Sequence, residues 1–272
     1  MEQKVTILNK HGQKLVGILH ETGSHQLVIF CHGSRSTKSL QNPLSESRIM
    51  VDLATTFERE GISAFRFDFS GNGESEGSFQ FANYFGEVEE LRSVVEYFVG
   101  LNRSTVAVLG HSKGGDVVLL YASKYHDIPA VINVSGRYDL KGGTEERYGK
   151  DMWERLERDG YIDVYSKTGE LEYRVTEESM KERVNIDMHK ACLSIDVSCR
   201  LLTVHGSADR TVPLKDAIQF AKILPNHQLK IIEGANHGFT FPSKKKKKKD
   251  ELVSTILPFV RECLRRTEHA FS

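Results

Sequence analysis

No C-x-x-C pair links any two of the four cysteines, Cys31, Cys192, Cys199 and Cys263, which removes the usual zinc and dithiol signatures. No run approaches the roughly 18 consecutive apolar residues of a membrane-spanning helix. Charge of neither sign is in excess, with 37 Lys plus Arg against 37 Asp plus Glu, so nothing in the balance calls for nucleic acid or another polyanion. The opening decapeptide MEQKVTILNK contains no uninterrupted apolar stretch. No signal peptide is expected from it, and a cytoplasmic chain with reduced, buried thiols follows. On that expectation the glycosylation-type triplets Asn102-Arg103-Ser104 and Asn133-Val134-Ser135 are accidental.

What the sequence does contain is a rhythm. Two alternating stretches flank Asn9-Lys10-His11-Gly12, a hairpin signal. Short apolar runs then recur: QLVIFCHG, ISAFRFDF, STVAVLG, AVINVSG, RLLTVHG and QLKIIEG. Helical spacings lie between them, such as Ile49, Met50, Leu53, Ala54 and Phe57 ahead of Gly61, and Val88, Leu91, Val94, Val95 and Phe98. PLKDAIQFAKIL and ELVSTILPFVRECLRR read as later helices. Unbroken apolar strands predict burial on both faces, and strand–helix alternation predicts an α/β protein with a mostly parallel sheet covered by helices on each side. Ligands of such sheets bind beyond the carboxyl ends of the strands.

One stretch breaks the pattern. Residues 137–190 are charge-rich, hold the only tryptophan, Trp153, and carry no strong buried-strand run. YIDVYSKTGELEYRV reads as a hairpin turning at Lys167-Thr168-Gly169. The expected organisation is a core of residues 1–136 and 191–272 with a lid inserted at 137–190.

The pattern G-x-S-x-G occurs twice, at Gly73–Gly77 and Gly110–Gly114. A nucleophile elbow needs a strand directly before its serine and a helix directly after it. Ser112 meets that demand between STVAVLG and GGDVVLLYASKY, and a helix N-terminus there favours developing negative charge. Ser75 does not meet it. Five polar or glycine residues separate it from Phe69, and Glu74 and Glu76 beside it oppose an alkoxide. Nor is SGNGESEG a dinucleotide loop: its glycines at 71, 73 and 77 are spaced one residue too far apart.

A serine nucleophile needs a base, and the base an orienting acid. His237 in EGANHGF follows the last core strand, and Asp209 in VHGSADRTVP follows the strand before it. The order Ser112, Asp209, His237 is one known layout of the triad; Asp139 is a rival acid. For the oxyanion, the amides of Lys113 and of a residue near Ser34, just past CHG, are the expected donors. His32 is expected to be structural. The six lysines Lys244–Lys249 read as a solvated loop or helix entry.

Taken together, HGS, FRFDFSGNGESEG, GHSKGG, HGSADRTVP and GANHGF resemble the α/β-hydrolase superfamily, and within it small serine esterases of the cinnamoyl/feruloyl type and similar plant proteins. The resemblance implies an eight-stranded core, the triad Ser112–Asp209–His237, an oxyanion hole at Ser34 and Lys113, and a hairpin-bearing lid. The implied activity is hydrolysis of a small or medium carboxylic ester through an acyl-enzyme, with no cofactor and no metal. Two other uses of the same fold are consistent with these residues: a ligand-binding or signalling protein with little turnover, and an acyltransferase or lyase.

Overall fold

The computed structural model describes residues 1–39, 47–239 and 249–271. In chain order the elements begin with strands β1 (Glu2–Leu8), β2 (Lys14–His20) and β3 (Gln26–Cys31). Next come α1 (Ser47–Arg59), β4 (Ser63–Phe67), α2 (Tyr84–Gly100), β5 (Ser104–His111), α3 (Lys113–Tyr125) and β6 (Ala130–Val134). An excursion follows: α4 (Thr144–Tyr148), α5 (Met152–Asp159), β7 (Tyr161–Tyr165), β8 (Leu171–Thr176), α6 (Glu177–Asn185) and α7 (Met188–Leu193). The chain then returns through β9 (Arg200–Gly206), α8 (Leu214–Ile223), β10 (His227–Ile232) and α9 (Lys249–Phe271). The Lys244–Lys249 run falls outside the described residues, except that Lys249 opens α9.

Among the described residues eight strands form one sheet in the order β1-β2-β4-β3-β5-β6-β9-β10. β2 pairs antiparallel with β1 and β4, and every pairing from β4 to β10 is parallel. Successive side chains of β3 serve opposite faces, as the pleat requires. Leu27, Ile29 and Cys31 join one apolar cluster with α2, α3, α7 and α8, whereas Val28 and Phe30 join another with α1 and α9. That division accounts for the unbroken apolar runs, since a strand between two helical layers has no wet face.

β10 departs from the expectation for QLKIIEG. It is an edge strand, with Gln228 and Lys230 exposed and Ile231 44% exposed. Having one neighbour, β9, it needs no second apolar face. The excursion, in turn, has its own small core, in which Met152, Leu156, Ile162, Tyr173, Val175 and Met180 pack together. The β7–β8 hairpin is tied back to the main body where Arg35 pairs with Glu172 at 2.6 Å and its guanidinium lies 4.8 Å from the Tyr173 ring centroid.

Four histidines in this framework, His20, His32, His205 and His227, are held below the ordinary imidazole value, with burial the largest cause in each. His227, whose Nε2 meets the Thr203 hydroxyl at 2.8 Å, is pushed down to about 4. Below about pH 6.5 the unfolded chain therefore binds protons that the folded chain refuses, and stability falls as pH falls. A thermal-melting series should show Tm declining from about pH 6.5 toward 4, with His227→Gln removing part of the slope. A Tm indifferent to pH across that window would contradict this account.

Candidate active site

The carboxyl ends of β5, β9 and β10 bring the three sequence-selected side chains together. β5 ends at His111 and α3 begins at Lys113, leaving Ser112 alone in the bend. Its backbone sits at φ 55°, ψ −123°, a region that non-glycine residues rarely occupy and that costs on the order of 1–3 kcal/mol. Neighbouring backbone holds it there: the Ser112 N–H donates to the Val134 carbonyl at 2.8 Å, and the Gly115 N–H donates to the Ser112 carbonyl at 2.8 Å. Strand and helix crowd at this bend. A Cβ on Gly110 would overlap the Gly114 carbonyl, and a Cβ on Gly114 would overlap the Cys31 carbonyl. The two glycines of the motif are thus required by close backbone approach.

The Ser112 Oγ lies 2.9 Å from His237 Nε2, and His237 Nδ1 lies 2.7 Å from Asp209 Oδ2. A carboxylate accepts, so Nδ1 carries the proton and Nε2 presents a lone pair to the serine hydroxyl. Asp209 is fixed from its other oxygen, where Oδ1 accepts the N–H groups of Thr211 and Val212 at 2.8 and 2.9 Å. Burial alone would raise its carboxyl. The hydrogen bond and charge of His237, with the Val212 N–H, outweigh burial and hold it below the usual carboxylate range. Asp139, the rival acid, caps the Lys141 N–H at 3.1 Å and has no contact with His237 among the described residues.

The histidine loop is itself positioned. His111, the second residue of the Gly110–Gly114 motif, donates from Nε2 to the His237 carbonyl at 2.9 Å, with ring centroids 4.9 Å apart. His205 Nε2, donating to the Val212 carbonyl at 2.9 Å, steadies the Asp209 loop from below. Ser34 and Lys113 line the same cavity as Ser112. The Lys113 side chain does not face water: its Nζ donates to Glu87 Oε1 at 2.7 Å and lies 5.0 Å from the Tyr84 ring centroid. Burial pushes the Glu87 carboxyl up to about 7 against the pull of that ammonium.

His32 has a framework position. Its Nδ1 donates to the Gly33 carbonyl at 2.7 Å, and its Nε2 accepts the Phe69 N–H at 3.1 Å. Ser75 has a similar role, its hydroxyl donating to the Asp68 carbonyl at 2.6 Å while accepting the Val16 N–H at 2.9 Å. Beside it Lys38 is buried against Asp68 and Glu74 at 2.6 and 2.7 Å. The Gly73–Gly77 match is therefore a hydrogen-bonded loop that locks β2 to the end of β4.

Sequence reasoning passed over several residues of the cavity. Arg137, Arg147, Arg183, Tyr84, Phe81 and Asp116 all line it. Arg147 and Arg183 come from the excursion, where a charge-rich segment gives no spacing signal that separates an inward arginine from a solvated one. The cavity has a volume of ≈ 120 Å³, compact beside the roughly 300–1,000 Å³ of drug-sized sites. Among the described residues no His/Cys/Asp/Glu cluster suited to a metal ion occurs, and no helix is long and apolar enough to cross a membrane.

Residues 23–156 match the family model described as serine aminopeptidase, S33. That span includes Ser34, Ser112 and Lys113, and it ends before Asp209 and His237. Among solved structures the chain is similar to Est1E from Butyrivibrio proteoclasticus with ferulic acid bound, at 21% identity and TM-score 0.78, covering 96% of this chain and 100% of that one. The α/β hydrolase GrgF from Penicillium sp. sh18 aligns at 18% identity and TM-score 0.77, covering 96% of this chain and 98% of GrgF. An esterase of Pyrococcus furiosus aligns at 18% identity and TM-score 0.71, covering 96% of this chain and 91% of the esterase. No curated protein matches the sequence. The fold is the α/β-hydrolase fold, shared with solved structures that include esterases.

Proposed function

We propose that this α/β-hydrolase-fold chain is a serine hydrolase that cleaves a carboxylic ester through an acyl-enzyme on Ser112. The observation that carries the reading is the unbroken relay from Ser112 Oγ to His237 Nε2 at 2.9 Å and from His237 Nδ1 to Asp209 Oδ2 at 2.7 Å. The similarity to esterase structures supports it.

In this mechanism Ser112 Oγ attacks the ester carbonyl carbon while His237 Nε2 takes its proton. The carbonyl π pair moves onto oxygen, and the amides of Ser34 and Lys113 stabilise that oxyanion at the N-terminus of α3. The tetrahedral intermediate collapses as His237 returns the proton to the leaving alkoxide, which departs as the alcohol. Water then enters, gives a proton to His237 and attacks the acyl carbon. Collapse of the second intermediate releases the acid and restores Ser112. Asp209 keeps the imidazole in the required tautomer throughout. The 137–190 excursion serves as the lid, since it contributes Tyr148 and Arg183 to the wall of the cavity that Ser112 enters.

Incubation with an aryl fluorophosphonate should add one phosphonyl group at Ser112, located by peptide mass spectrometry, and Ser112→Ala should remain unlabelled. A folded wild-type chain that takes up no label, or takes it up at Ser75, would overturn the assignment.

A further inference from the structure

The cavity beside Ser112 is lined by four cationic side chains, Lys113, Arg137, Arg147 and Arg183, and by one carboxylate, Asp116. The charges are not all balanced by protein partners. Lys113 is matched by Glu87 at 2.7 Å. Asp116 accepts the Arg137 backbone N–H at 2.6 Å. Arg137 spends its guanidinium on neutral acceptors, the Gly142 carbonyl at 3.1 Å and the Thr211 carbonyl. Arg183 donates from Nη1 to the Tyr84 hydroxyl at 2.6 Å, and its Nε is buried with no hydrogen-bond partner. Glu182, its neighbour in sequence, is engaged with the Tyr84 N–H at 3.0 Å. Arg147 lies against the Tyr148 and Tyr173 rings, 5.7 and 5.8 Å from their centroids. Among the described residues none of these three guanidiniums is within ion-pairing distance of a carboxylate.

Arg137 and Arg183 are partly buried and Arg147 is exposed; a partly buried guanidinium with no ion-paired carboxylate beside a nucleophile is costly to maintain unless a ligand supplies the charge. Arginine offers a planar fork suited to a carboxylate. Resting on the serine-hydrolase reading above, we infer that the substrate is a compact ester bearing a second, ionised carboxylate, which Arg183 and Arg147 hold while Ser112 attacks the ester carbonyl. The same charge pattern disfavours the substrate of an aminopeptidase, because a protonated α-amine would face three guanidiniums with no ion pair and a single carboxylate.

The test compares kcat/KM for aryl half-esters of dicarboxylic acids with three to five carbons against neutral aryl esters of matched length whose far carboxylate is a primary amide. A second pair places the carboxylate on the alcohol, as in acetylated hydroxybenzoate against its amide. The charged member of at least one pair should be favoured by about 10–100-fold, as expected for charge-assisted hydrogen bonds, and the pair that responds locates the carboxylate. Arg183→Gln and Arg147→Gln should each reduce that ratio about 10-fold or more. A ratio near one in both pairs for the wild type, with both esters cleaved, overturns the inference and leaves the hydrolase reading intact.

Binding supplies an arm that needs no turnover. Calorimetric titration of full-length Ser112→Ala with glutarate and with its neutral diamide should show glutarate bound at least 10-fold more tightly, and equal or absent binding of both overturns the inference. Absence of turnover together with absence of fluorophosphonate labelling would instead remove the hydrolase reading.

Discussion

Ser112→Ala is expected to lower kcat for a cleaved ester by roughly 10⁴–10⁶-fold, with His237→Ala falling in the same range. The two changes should not add, because each disables the same step. Without Oγ there is nothing to acylate, and without the imidazole the hydroxyl 2.9 Å away retains its proton. The double variant should thus resemble either single one. Stability should change little. Ser112 sits at φ 55°, and alanine there keeps the strain while removing only a cavity-lining hydroxyl and its contact with His237. Melting temperatures within a few degrees of wild type would separate lost chemistry from lost fold. Residual turnover near the wild-type rate in Ser112→Ala, measured on purified protein, would exclude the acyl-enzyme.

Asp209→Asn is expected to cost about 10⁴-fold in kcat with little change in KM. The amide oxygen can still accept the Thr211 and Val212 N–H groups, which now reach Oδ1 at 2.8 and 2.9 Å. The amide nitrogen then faces His237 Nδ1 and donates to it. That donation moves the imidazole proton to Nε2, and the nitrogen facing Ser112 becomes a donor that cannot remove a proton. Asp209→Ala should lose similar activity and should also be less stable, since two loop N–H groups lose their acceptor. Equal kcat in wild type and Asp209→Asn would show that another carboxylate orients the histidine, and Asp139 would be the first to examine.

Much of this arrangement was readable from residue order. The run STVAVLG followed by GHSKGG specifies a buried strand, a bend and a helix, and the backbone that a Cβ on Gly110 or Gly114 would strike explains why only glycine serves there. The contrast between the two G-x-S-x-G matches was also legible, because Ser75 is separated from its strand. Three features were not. QLKIIEG has the apolar content of an interior strand, and only its position at the end of the order β6-β9-β10 makes it an edge. Nothing in the motif marks His111, yet its bond to the His237 carbonyl joins residues 126 positions apart. The cavity arginines were hidden because the excursion packs around aromatic rings contributed partly by residues before α2: Phe79 and Phe81 lie 5.9 and 6.1 Å from Tyr173. No local period encodes that meeting.

The pairing of Arg35 with Glu172 joins the turn carrying the Ser34 amide to the tip-bearing hairpin. Both partners are about one-third exposed, and ion pairs of that kind contribute about 0–1 kcal/mol. The tether is therefore soft: thermal motion can part it, and added salt loosens it further. Were that pair to part, Arg35, next to the proposed oxyanion-hole residue Ser34, would lose its carboxylate partner. On the proposed reading the hairpin and the turn that would hold the oxyanion share this one salt-sensitive contact, so turnover is expected to vary with ionic strength.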